Sequence, residues 1–76
     1  MAERRLGNAV RLHRFLAREM TQAQLGERVG VTRQTIAAIE SGRYSPTLEA
    51  ALLIAEALGK PLEDIFFWEN TDSGKT

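Results

Sequence analysis

Cysteine is absent from the 76-residue chain, which excludes a disulfide framework and any thiolate-held metal. There is one histidine, His13, and a single imidazole cannot build a metal site alone. No apolar run approaches the length of a transmembrane helix, and the start, MAERRLGNAV, lacks a hydrophobic signal region. A soluble, cytoplasmic protein with no membrane partner is the expectation. The sequence offers no nucleophile–histidine pair, carboxylate pair or phosphate-cradling loop, so it reads as a non-enzyme. No catalytic residue, metal, cofactor or small-molecule ligand is expected. Repeats and low-complexity segments are also missing.

A chain this short makes one domain and buries only about 60% of its unfolded surface. Its stability will be modest, and pairing with a second copy would help. Formal net charge is zero, but the charges are divided along the chain. Residues 1–43 carry eight arginines and four glutamates, a net of +4; residues 44–76 carry two lysines and six acids, a net of −4. A polyanion can dock on the first half while the second faces away. Every cation of the first half is arginine, the side chain that forks onto phosphates and guanine edges.

The pattern predicts five helices. Asn8 is placed to cap the first, over residues 9 to about 19, with Ala9, Leu12, Leu16 and Met20 as its apolar stripe. Arg11, Arg14 and Arg18 fall on another face and read mainly as solvated. Thr21 and Gln24 form a capping box that opens the second helix, which runs to about Val29. Gly30 stops it and Thr32 caps a third helix over 32–41. Two helices joined by so short a turn cross steeply, as in a helix-turn-helix. Gly26 supplies the small residue that a close crossing demands, at about 1 kcal/mol relative to alanine in a helix. Thr47 caps a fourth helix that ends at Gly59, with Leu48, Ala51, Leu52, Ala55 and Leu58 facing inward. Pro61 opens a short fifth turn, PLEDIF. The N-terminal ERRL can pair as a strand with IFFW (65–68), and the polar residues 69–76 are expected to form a disordered tail.

The third helix opens on Thr32, Arg33, Gln34 and Thr35, four polar side chains ahead of Ile36 and Ile39. In a helix-turn-helix the second helix enters the major groove and its N-terminal residues meet base edges. Arginine can donate twice to guanine and glutamine can bridge adenine. Thr35 can offer a methyl to thymine or a hydroxyl to phosphate. If this helix pair is such a unit, DNA is the expected partner of these four polar residues.

The stretch TQAQLGERVGVTRQTIAAIESGRYSPTLEAALLIAEALGKPLEDIF resembles the Cro/CI-type (XRE-family) helix-turn-helix repressors, over about residues 8–68. The resemblance implies an all-α, five-helix, lambda-repressor-like domain, sometimes with a small terminal strand pair. It also implies a homodimer on a palindromic operator in double-stranded DNA. Arg33, Gln34 and Ala38 match the family's base-reading positions; Ala38 could only touch a thymine methyl. Gln22, Ser41, Arg43 and Tyr44 match phosphate-positioning sites, and Thr32 at the helix start joins them. Relatives pair an arginine late in helix one with the counterpart of Glu40. Here the matching position is apolar, Phe15 or Leu16; Arg18 or Arg14 can replace the partner, and if neither does, Glu40 costs stability and the angle of helix one to the helix pair is open.

In IFFW, consecutive apolar residues point both ways. Ile65, Phe66, Phe67 and Trp68 are accordingly expected to form the dimer interface, within a dimerisation segment 61–68 that ends the domain (1–68). The expected function is a sequence-specific transcriptional regulator, in particular a repressor, since so small a chain has no room for an activation or ligand domain. The alternative is a protein-binding module, such as the antitoxin or adaptor half of a complex.

Overall fold

The computed structural model describes residues 4–70, with the side chain of Asn70 left aside. Within them the order is β1 (Arg4–Asn8), α1 (Val10–Leu16), α2 (Gln22–Val29), α3 (Arg33–Glu40), α4 (Leu48–Leu58), α5 (Leu62–Ile65) and β2 (Phe66–Asn70). The strands pair antiparallel, Leu6 opposite Trp68 and Gly7 opposite Phe67, so the expected terminal strand pair forms within one chain. Glu69 and Asn70, read from the sequence as the start of the tail, complete β2 instead. The rest of that tail, 71–76, lies outside the described residues.

The helix starts follow local chemistry. Thr21 and Gln24 make both hydrogen bonds of the capping box, at 3.0 and 2.9 Å. The Thr32 and Thr47 hydroxyls accept the amides of Thr35 and Ala50. Gly30 ends α2 in the left-handed region, φ 87°, and its amide donates to the Gly26 carbonyl at 2.8 Å. Gly26 itself is buried at the crossing of α2 and α3. A Cβ there would stand 2.7 Å from the Val31 carbonyl oxygen and 3.2 Å from the Thr32 carbonyl carbon. The predicted need for a small residue is met by backbone, which cannot step aside as a flexible side chain can.

One core joins Val10, Met20, Leu25, Val29, Ile36, Ile39, Ile54, Ala55, Leu58 and Ile65. The expected stripes are corrected at two helices. α1 is shorter than 9–19 and rotated: Val10 is fully buried, whereas Leu12 and Leu16 are 54% and 62% exposed. Arg14 and Ala17 share the inward side with Val10, which sends Leu12, Phe15 and Leu16 outward at helical spacing. In α4, Ala51, Ala55 and Leu58 are buried as expected, but Ile54 takes the central place and Leu48 and Leu52 face out. α4 is apolar on nearly every side, so it holds more leucines than one face can cover.

Past α1 the chain reverses through Arg18 (φ 60°) and Glu19 (φ 55°), both in the left-handed region. That conformation costs about 1–2 kcal/mol for a residue with a Cβ. The reversal returns Met20 to the core, and Arg14 holds it on both sides. The Met20 amide donates to the Arg14 carbonyl at 2.9 Å, and Arg14 Nη1 donates to the Met20 carbonyl at 2.8 Å.

Candidate nucleic-acid interface

α2, the turn at Gly30 and α3 form a steep helix pair, and α3 presents two unlike faces. Ile36 and Ile39 are sealed in the core, while Arg33 and Gln34 are exposed on the far side. Among the described residues, no side-chain hydrogen bond or ion pair engages either of them. Thr32 and Thr35 are tied together instead. Thr32 Oγ1 accepts the Thr35 amide at 3.1 Å, and the two hydroxyl oxygens lie 3.0 Å apart. The pair closes the helix start and uses one of the two hydroxyl protons, so one hydroxyl can still donate outward, and the Thr35 methyl remains for an apolar contact. Ala37 and Ala38 are half-buried on the same outer side as Arg33 and Gln34.

The loop after α3 is fastened to the helix it follows. The Ala38 carbonyl accepts the amides of Arg43 and Tyr44 at 3.0 and 3.2 Å, and the Ser41 hydroxyl at 3.1 Å. Arg43 Nε donates to Ser41 Oγ at 3.3 Å. Ser41, Arg43 and Tyr44 are all exposed, on a backbone that cannot drift from α3.

Glu40 finds its partner in Arg14. Arg14 Nε and Nη2 donate to the two carboxylate oxygens at 2.7 and 3.1 Å, and Gln22 Nε2 donates to Oε1 at 3.1 Å. The side chains are only 15% and 9% exposed. The carboxylate nearest the outer face of α3 is therefore neutralised from within. Arg14 leaves the set of solvated arginines, and Gln22 is held at the start of α2 by its own amide. Arg11, Gln22, Ala37 and Ser41 rim a shallow depression above this ion pair. Arg11 stays exposed there.

Of the residues expected at a dimer contact, Ile65 is corrected: it is fully buried in its own domain and has no surface to offer. Phe66 is half-buried against that core, whereas Phe67 and Trp68 are exposed, Trp68 by 59%. The Arg4 guanidinium lies 4.9 Å above the Trp68 ring. Two residues escaped the sequence reading. Ala37 carries no chemistry that marks it. Asn8, a cap by its sequence position, also reaches α3.

A sequence model described as helix-turn-helix matches residues 13–65. An uncharacterized HTH-type transcriptional regulator of Methanothermobacter thermautotrophicus is 65% identical over 48 residues, 62% of this chain and 70% of the relative. One from Methanocaldococcus jannaschii is 43% identical over 65 residues, 86% of this chain and 97% of the relative. Another, from Bacillus subtilis, is 55% identical over 49 residues, 64% and 74% of the two chains. Among solved structures, one described as a candidate DNA-binding protein from Bacteroides fragilis superposes with a TM-score of 0.70 at 21% identity. It covers 80% of this chain and 97% of that one, a likeness of fold.

Proposed function

The chain belongs to the XRE-type helix-turn-helix family of DNA-binding transcriptional regulators, and from there we propose that it is a sequence-specific repressor binding a palindromic operator as a homodimer. The observation that carries this reading is the free pair Arg33 and Gln34 at the start of a helix locked on its other side. A rigid helix with unspent donors and acceptors at its tip suits the major groove. Arg33, Gln34, Thr35 and Ala38 are the base readers in this reading, Thr35 and Ala38 through methyl groups. Thr32, Gln22, Ser41, Arg43 and Tyr44 set the domain on the phosphates. The homodimer is supported by the ribbon of β1 and β2, where Leu6, Phe67 and Trp68 are left exposed. An isolated two-stranded hairpin is marginal in water, and a second copy would cover it. The recognition helices would then stand about 34 Å apart, one turn of DNA.

Selection from random double-stranded DNA at near-physiological salt tests this. The expected product is a palindrome with half-sites one turn apart. Arg33→Ala should cost about 1–3 kcal/mol of binding and relax preference at one base position. Equal weakening on every sequence would refute direct readout by Arg33. A protein-binding role, as the antitoxin or adaptor half of a complex, draws on a different observation, the outward Leu12, Phe15 and Leu16 of α1. Stoichiometric copurification of a partner that is lost on Phe15→Glu would favour it.

A further inference from the structure

β1 ends on Asn8, opposite Phe66 in the ribbon. Its carboxamide reaches two other elements. Oδ1 accepts the Val10 amide at 3.1 Å, at the start of α1, and Nδ2 donates to the Ile39 carbonyl at 3.0 Å, in the last turn of α3. The next residue, Ala9, donates its amide to the Ile65 carbonyl at 2.8 Å. Only one orientation of the amide satisfies both neighbours, since Val10 N–H needs an acceptor and Ile39 C=O needs a donor. Aspartate lacks the donor, and serine lacks the reach. Among the described residues, the contact to Ile39 is the one hydrogen bond between the ribbon and α3.

We propose that Asn8 is a positioning residue that fixes the recognition helix against the β1–β2 ribbon, and through it the separation of the two recognition helices in the dimer. This rests on the reading above, in which α3 enters DNA and the ribbon pairs two copies. The remaining holds on α3 are of another kind: its apolar face shares the core against which Phe66 packs, and the Arg14–Glu40 pair ties it to α1. Apolar packing tolerates small shifts, so Asn8 is the directional tie to the ribbon. Base identity is read by the tip of α3, and half-site spacing is measured by the path from one α3 through two ribbons to the other. Asn8 stands on that path and not at the tip.

The test compares the intact chain with Asn8→Asp, which keeps an acceptor for Val10 and sets a second carboxylate oxygen against Ile39. Fluorescence anisotropy measures binding to duplexes bearing two copies of the selected half-site, their spacing stepped by single base pairs around one helical turn. The intact chain should favour one spacing over its neighbours. The variant should lose about fivefold of that preference, the worth of one hydrogen bond, and keep its ranking of single-base changes inside the half-site. An unchanged spacing preference overturns the proposal, even if affinity falls by the same factor on every duplex. An altered base ranking overturns it too, because the effect would then lie in the helix-turn-helix itself. An intact chain that binds one half-site as well as any pair removes the dimeric reading, and the proposal with it; that failure is visible without the variant. Should Asn8→Asp not fold, Asn8→Ser gives the same readout, its hydroxyl accepting from Val10 but stopping short of Ile39.

Discussion

Glu40→Ala should remove a large part of the stability of this domain. The substitution deletes an acceptor of three side-chain hydrogen bonds, two from Arg14 and one from Gln22. It also strands the Arg14 guanidinium, only 15% exposed, without a counter-charge. Breaking a buried pair from one side costs about 3–5 kcal/mol. Some solvent reaches both side chains, so the lower end applies, about 3 kcal/mol. At about 0.05–0.15 kcal/mol per residue, a chain of this length holds about 4–11 kcal/mol in all. The variant should thus melt about 12–24 °C lower, at 4–8 °C per kcal/mol for a domain this small. Glu40→Gln keeps one acceptor and nearly the same volume, and should cost about 1–2 kcal/mol. Urea unfolding followed by circular dichroism, repeated at several protein concentrations to separate dimer dissociation, gives both values. A cost for Glu40→Ala below about 1 kcal/mol would be that of an exposed pair and would refute the reasoning. So would a loss that vanishes in molar salt, which screens surface charges far more than buried ones.

Gly26→Ala gains about 1 kcal/mol of helix propensity but drives a methyl against the Val31 carbonyl. The net result should be a loss of about 1–3 kcal/mol in the same urea assay, and a stabilised variant would show that the crossing is looser than described. Trp68→Ala should weaken self-association about 30-fold or more in sedimentation equilibrium if the ring is a hot spot of the proposed dimer. A Trp68→Ala variant that associates as well as the intact chain would move the interface elsewhere. Arg43→Ala should weaken binding on all DNA sequences alike and lower the salt dependence by about one counterion, which titration at several salt concentrations would read.

The helix-turn-helix was legible because its signals are local. Thr21, Gln24, Gly30 and Thr32 each act on backbone groups within four residues, so their spacing alone announces them. Arg33 and Gln34 stood out because polar residues open a helix whose next turn is isoleucine. α1 misled because apolar periodicity assumes that leucines turn inward. Here Arg14 faces Glu40 from the inner side of that helix, and the leucines take what is left. α4 misled for the opposite reason: with so many apolar residues, several stripes fit equally well. IFFW looks like one apolar block in the sequence, whereas the change from α5 to β2 falls inside it and puts Ile65 in the core. The reach of Asn8 to Ile39 spans thirty-one positions, and nothing in the residues between announces it.

The pairing of β1 with β2 also orders events in time. Arg4 lies opposite Asn70, sixty-six positions later in the chain, whereas Gly26 meets Val31 after five. Closing the longer span costs about 2 kcal/mol more in chain entropy. During synthesis, moreover, β1 has no partner until β2 has been made. The helices, whose buried core ends at Ile65, can therefore pack before β2 closes the ribbon. In the proposed dimer, a chain halted before β2 would carry its recognition helix without the surface that pairs it with a second copy.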